Sequence, residues 1–298
     1  MTTVGWLLNL DADLELADPD GFVPSARLVQ QTEALAETFL AAARAASPQV
    51  EHVRLAAGVS VSFCESWCPT PRALRAVEER GGSLRGAPPL AVLQRANHRS
   101  FAAGLGVLLP GAAFATSMQQ LDDLLGDVRP ERSWLLKRPF GFSGRWQKRI
   151  TGPLVGADRR WAEASMVEYG RGLMAEPFVA VEGEFALHAW RFEDGNVLVG
   201  DATRLVTDDL GAWVASETGA ELSEAEHGAL HAALASAARA LAEAGYTGPF
   251  SIDAFRYRSD DGQVQFQALS ELNARYSMGF FVGMGARVEE WAARVCRG

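Results

Sequence analysis

Apolar residues first cluster at Gly5–Leu10, a short run closed by polar Asp11, Asp13 and Glu15, which predicts a buried strand. The Ala-, Leu- and Glu-rich stretch from Arg27 to Ala46, stopped by Ser47-Pro48, predicts a helix. Val59, Val61 and Phe63 alternate with polar residues, as on a half-buried strand. The loop Cys64–Pro71 then opens a helix with Thr70 as N-cap and Pro71 at its first position, and Gly81-Gly82 ends it. Ala91–Leu93 reads as one more strand. Strands alternating with helices imply a small α/β domain with a largely parallel sheet over residues 1–95.

Beyond it, Asn97–Leu105 predicts a short helix, and Thr116 or Ser117 caps a second one running to Leu125. Strands are expected at Trp134–Arg138, near Ile150, at Met174–Val181, Glu184–Phe192 and Asn196–Val206. Ser223 and Glu226 have the spacing of a capping box for a long helix ending at Gly245. Phe250–Tyr257 and Val264–Leu269 flank Asp260-Asp261-Gly262 as a hairpin. No internal repeat or low-complexity segment interrupts the pattern. The reading is an α/β (α+β) chain with units at 1–95, 96–175 and 176–298.

Composition narrows the function. Hydrophobic residues make up 48% of the 298-residue chain and charged residues 22%, an ordinary globular balance. The net charge of -9 disfavours nucleic acid and anionic membrane as partners. No apolar run has the length of a bilayer span, and Met1–Leu10 lacks a basic leader, so a cytoplasmic protein is expected. The three cysteines, Cys64, Cys68 and Cys296, do not form a disulfide or metal framework and read as reduced thiols.

Three segments carry chemistry. In Glu271-Leu272-Asn273-Ala274-Arg275, alternation puts a carboxylate, an amide and a guanidinium on one face, and Asp253 on the preceding strand can add a second carboxylate. Hard oxygen donors of this kind suit Mg²⁺ beside phosphate oxygens, with the arginine neutralising the phosphoryl group. In Lys137–Arg145, a strand delivers a lysine to a loop bearing Gly141, Ser143 and Gly144, whose backbone N–H groups can cradle phosphate; it is not a Walker A loop. In Glu176-Pro177-Phe178-Val179, followed by Glu184, free backbone groups can meet an adenine edge and a carboxylate can hold ribose hydroxyls. Taken singly, the first segment is equally an exposed strand face, the second equally a hairpin with cationic edges, and the third more often an ordinary hairpin.

Their order resembles the ATP-grasp superfamily from about Asn97 to the C-terminus, with the first ninety or so residues similar to the α/β domain that usually precedes it. The resemblance implies that Lys137 binds ATP phosphates, that Gly141–Gly144 closes over them, and that Glu176–Val179 holds adenine and Glu184 ribose. It implies Asp253, Glu271 and Asn273 as ligands of two Mg²⁺ ions, with Mn²⁺ as a substitute, and Arg275 as the arginine that follows them. Two departures stand out. Arg99 occupies the place of an early phosphate-binding lysine, which changes the donor geometry. One extra residue separates the hinge from Glu184.

The activity implied is ATP-dependent joining of a small-molecule or peptide carboxylate to an amine through an acyl phosphate, in a protein that is often a homodimer. A phosphotransferase and a catalytically silent nucleotide-binding member are the alternatives. Arg145 and Arg204 are further candidates for contact with phosphate or substrate, beside Lys148 and Arg149. His188, between apolar residues on a strand, reads as structural. Ser66, Thr70 and Arg72 sit at a sheet-end loop where α/β domains bind ligands. Trp67, Trp146 and the Phe280-Phe281 pair read as core.

Overall fold

The computed structural model describes residues 2–126, 132–141, 146–167, 171–208 and 211–295. Ser143, Gly144, Arg145 and Cys296 lie outside the described residues.

The N-terminal unit contains β1 (Thr2–Leu7), α1 (Ala12–Ala17), α2 (Ala26–Ala46), β2 (Val50–Arg54), β3 (Phe63–Ser66), α3 (Pro71–Glu78) and α4 (Leu90–Asn97). Its sheet, in the order β2-β1-β3, is parallel throughout, as the alternation of strands and helices predicts. Ser25 caps α2, and Thr70 caps α3 with Pro71 at its start. Two expectations are corrected. The strand predicted from Val59 begins only at Phe63, because Val59 and Ser60 stay exposed and unpaired with β1. Ala91–Leu93 is the first turn of α4, whose buried Leu93, Ala96 and Asn97 repeat with helical spacing and which runs across position 95. The short strand β2 escapes the apolar pattern because its buried positions are Val50 and His52. The indole N–H of Trp6 donates to His52 Nδ1 at 2.9 Å, and burial pushes this histidine down to about 4.

The central unit comprises α5 (Arg99–Ala103), β4 (Ala113–Ala115), α6 (Met118–Gly126), β5 (Ser133–Lys137), β6 (Gln147–Thr151), α7 (Gly156–Val167) and β7 (Leu173–Pro177). Its four strands form the antiparallel sheet β4-β7-β5-β6. A separate apolar cluster spans Ala115 to Ala175, with Leu121, Trp134, Leu136 and Leu173 at its centre.

The C-terminal unit comprises β8 (Ala180–Arg191), β9 (Val197–Val199), β10 (Thr203–Thr207), β11 (Trp213–Glu217), α8 (Glu224–Glu243), β12 (Gly248–Arg258), β13 (Val264–Asn273), α9 (Phe280–Met284) and α10 (Val288–Val295). The sheet runs β11-β10-β8-β12-β13, with β9 also on β8. Ser223 and Glu226 make the capping box of α8. The stretch expected as one strand from Asn196 to Val206 is two, β9 and β10, separated by Gly200-Asp201-Ala202. A Cβ at Gly200 would lie 2.3 Å from the carbonyl oxygen of Gly283, so only glycine permits that approach. One continuous core joins this unit to the N-terminal one: Trp6 packs edge-on against Phe39, Tyr276 and Phe281. Trp67, Phe280 and Phe281 are buried, as read, but Trp146 is 38% exposed and lies against Arg138.

Candidate active site

The hairpin β12–β13 continues past Leu269, so Glu271 and Asn273 belong to the strand itself. Register sets Asp253 opposite Glu271 and Ser251 opposite Asn273. Asn273 Nδ2 donates to Asp253 Oδ2 at 3.2 Å. The pairing thus brings the three expected metal ligands together, and it does so by strand geometry alone.

Two carboxylates side by side in an enclosed place repel one another. Burial, then the Glu271 charge, raises the pKa of Asp253. Burial also pushes Glu271 upward, but the pull of Arg99, Lys137 and Arg275 outweighs it and holds this carboxyl below its ordinary value. Arg99 Nη1 reaches Glu271 Oε1 at 2.9 Å, while its Nε–H donates to the carbonyl of Arg138 at 2.9 Å. Arg99 therefore stands beside the metal-ligand candidates, where the resemblance implies a phosphate-binding lysine.

Lys137, at the end of β5, also comes to this place, and its Nζ lies 2.6 Å from Glu176 Oε2 on β7. Glu176 is thus a buried partner of the lysine as well as the first residue of the expected hinge. Phe178 N–H donates to the Ser133 carbonyl at 2.9 Å, and the Arg149 guanidinium stacks 3.8 Å over the Phe178 ring. Glu184 on β8 accepts from Thr207 Oγ1 at 3.2 Å, and burial raises its pKa against the lowering effects of Thr207 and Lys137.

These groups line a cavity of about 640 Å³. Lys137, Gly141, Glu176–Val179 and Glu184 form one part of its wall, and Asp253, Glu271, Asn273, Arg275 and Arg99 another. Apolar Leu135, Val181, Leu205 and Phe255 fill in between. The size and the mix of apolar wall with converging charges suit a nucleotide. An open depression of about 720 Å³ near His98 and Phe101 shares no residue with this cavity and carries none of its chemistry.

Two candidate residues behave differently from expectation. Arg204 is not in the cavity wall: alternation along β10 turns Leu205 and Thr207 inward, while Arg204 faces Glu217 across β11 with its side chain 63% exposed. Arg275 is in the wall, but its guanidinium is held by Asp13, with Nη2–Oδ2 at 2.6 Å and Nε–Oδ2 at 3.0 Å. Lys148 pairs with Asp158. Thr70 and Arg72 belong to a network with Glu15 and Asp11.

Asp13 is the functional candidate that the sequence reading missed. The signal was present in the alternating acids Asp11, Asp13 and Glu15 directly after the first strand, all buried although charged. His188 is buried, as expected of a structural residue, yet it lines the cavity and its Nδ1 has no partner among the described residues. Burial pushes it down to about 4, so it is neutral at pH 7.

The donor set fits a divalent cation. Among the described residues no cluster of three histidine, cysteine or acidic side chains makes a complete cage. Two carboxylates and an amide are instead what Mg²⁺ uses when phosphate oxygens and water supply the remainder.

Solved structures share this architecture. N5-carboxyaminoimidazole synthetase from Staphylococcus aureus, complexed with ADP, matches 93% of this chain and 71% of its own at 11% identity and a TM-score of 0.50. Carboxyaminoimidazole ribonucleotide synthase from Aspergillus clavatus, complexed with ATP, matches 93% and 70% at 14% identity and a TM-score of 0.52. The biotin carboxylase domain of 2-oxoglutarate carboxylase from Hydrogenobacter thermophilus, a dimer with MgADP and bicarbonate, matches 87% and 57% at 15% identity and a TM-score of 0.56. No protein-family model and no curated protein matches the sequence. The chain has the ATP-grasp fold.

Proposed function

We propose that this protein is a Mg-ATP-dependent ligase that joins a carboxylate to an amine. The observation that carries this reading is the Asp253–Glu271 pair, aligned across β12 and β13 and placed with Lys137 in one cavity of an ATP-grasp fold.

A carboxylate is a poor acyl donor because its oxygen leaves badly; phosphorylation by ATP turns that oxygen into part of a phosphate leaving group. The two anions must first be brought together. Lys137, Arg99 and Arg275 supply positive charge for that purpose. Bound Mg²⁺ would neutralise phosphate charge, held by Asp253, Glu271 and Asn273. Glu176 holds the Lys137 ammonium until phosphate competes for it. Glu176–Val179 would hold adenine and Glu184 the ribose. The acyl phosphate must be kept from water, a task that the resemblance gives to Gly141–Gly144, with Arg145 beside it as a candidate for contact with phosphate or substrate.

The structural neighbours support a ligase in general terms, since those named above are synthetases and a carboxylase with ADP, ATP or MgADP bound. Of the units expected at 1–95, 96–175 and 176–298, the separate apolar cluster supports a central one, and α4 and β7 cross its expected limits. A homodimer fits the dimeric biotin carboxylase neighbour. A cytoplasmic setting fits the free, buried Cys64 and Cys68. No described helix is long and apolar enough to cross a membrane.

The test is incubation with Mg-ATP and pools of carboxylates and amines. Ligation gives substrate-dependent ADP, phosphate and an amide product. ADP with a phosphorylated product would instead make the protein a phosphotransferase, and nucleotide binding without turnover a silent member of the fold.

A further inference from the structure

A second cavity of about 300 Å³ shares Trp67 and Arg275 with the nucleotide cavity but contains none of Lys137, Asp253, Glu271 or Asn273. It lies at the C-terminal end of β3, the end of a parallel sheet at which α/β domains bind ligands. Its volume is right for one amino acid or a similarly small molecule and too small for a nucleotide.

Two charges in its wall, on Glu65 and Arg85, have no counter-charge among the described residues. Glu65 accepts one hydrogen bond, from the Tyr276 hydroxyl at 3.2 Å, and no described cation forms an ion pair with it. Burial pushes its carboxyl up to about 8, the behaviour of an acid that lacks a counter-charge. The side chain nevertheless keeps partial accessibility, which fits a carboxyl opening onto a cavity. Besides Arg275, which Asp13 holds, three arginines line the space. Arg191 donates to the Tyr246 carbonyl at 2.8 Å, and Arg294 pairs with Asp194 at 2.6 Å. Arg85 has no carboxylate partner among the described residues and lies 5.7 Å from the centre of the Phe63 ring. The other acid of the wall, Glu193, likewise forms no ion pair with a described residue. The walls between are aromatic, and the buried indole N–H of Trp67 has no acceptor among the described residues.

Glu65 and Arg85 line one space without pairing, so a ligand that carries both an ammonium and a carboxylate can answer the two of them. An ammonium answers Glu65, and aromatic faces also favour a cation. A carboxylate answers Arg85. We propose that this cavity binds a free α-amino acid, with its ammonium on Glu65, its carboxylate on Arg85 and its side chain against Trp67 and Trp190. Burying an ammonium beside Glu65 would draw that carboxyl into its ionised form, so the ligand completes an ion pair the protein leaves half made.

The test is isothermal calorimetry on the full chain without nucleotide, using the common α-amino acids together with their N-acetyl and carboxamide derivatives. At least one free amino acid should bind, and blocking either of its ends should cost about tenfold or more in affinity. Glu65→Gln and Arg85→Ala should each weaken binding to a similar degree while Mg-ATP binding is kept, which shows that the variants are folded. Absence of binding by every amino acid, unchanged binding in Glu65→Gln, or equal binding of the N-acetyl derivative would overturn the proposal. Because no nucleotide is present, the result is separate from the fate of the ligase reading.

Discussion

Glu271 and Gln differ by one atom, so Glu271→Gln separates charge from shape at the cavity. Its neighbours Asp253 and Arg99 keep hydrogen-bonding partners in the variant. Turnover of Mg-ATP should fall about 100-fold or more, with the thermal unfolding midpoint little changed; unimpaired turnover would refute the metal assignment. Asp13 and Arg275 pose the opposite case, a pair of buried charges with side chains 6% and 13% exposed. Asp13→Ala leaves the guanidinium unpaired and should cost about 3–5 kcal/mol, whereas Asp13→Ala combined with Arg275→Met should regain much of that loss in urea unfolding. Glu65 gives a pH signature. Its pKa lies near 8 in the folded chain and near 4.5 when unfolded, so the folded state binds its proton more tightly. That contribution to stability is whole below pH 4.5 and is lost as pH rises towards 8. Stability of Glu65→Gln relative to the parent should therefore rise across that window; a constant difference would sink the assignment. At this scale the convergence of Asp253, Glu271 and Asn273 was legible because strand alternation and hairpin register are short-range rules. The acids around Asp13 stood out, but the pairing of Asp13 did not, because its partner Arg275 is 262 positions away and no local pattern links them.

Elements with a local start or stop signal were read closely. The helix α8 is fixed by the reciprocal bonds of Ser223 and Glu226 and by Gly245 in a left-handed conformation, φ 79°. Ser223→Ala removes the acceptor for Glu226 N–H and should lower stability by about 1 kcal/mol without altering turnover, as denaturant midpoints and ADP release will show. Elements lacking such signals were misread. Three apolar residues at Ala91–Leu93 are too few to carry a period, and α1 has buried acids where a pattern reader expects apolar residues. Arg204 lies outside the cavity for a related reason: the strand expected around it is split in two, and the face it takes depends on pairing of β10 with β8 and β11.

At the scale of the molecule, the central unit has its own apolar cluster, while a single cluster runs through the other two. Lys137 and Glu176 are carried by the first body, Asp253, Glu271 and Asn273 by the second. A nucleotide bound in the cavity as proposed would touch both. Mg-ATP at 100 times its dissociation constant should add about 2.7 kcal/mol of stability, and Lys137→Met should abolish most of the shift in melting temperature. The order of weak motifs revealed this division of labour, whereas the merging of the N- and C-terminal units into one core rests on contacts such as Trp6 with Phe281, which sequence order does not hint at.

Bodies built around separate apolar clusters can come apart without either one dissolving. The leaf built from Ala115 to Ala175 has its own apolar cluster, and Arg99 bridges it to the remainder by bonding both the Arg138 carbonyl and Glu271, so the empty protein should breathe along that seam. Amide hydrogen exchange should then show two tiers, with the leaf trading its protons sooner. Filling the seam with nucleotide should bring the tiers together; identical exchange in both bodies of the empty protein would mean that the seam is welded.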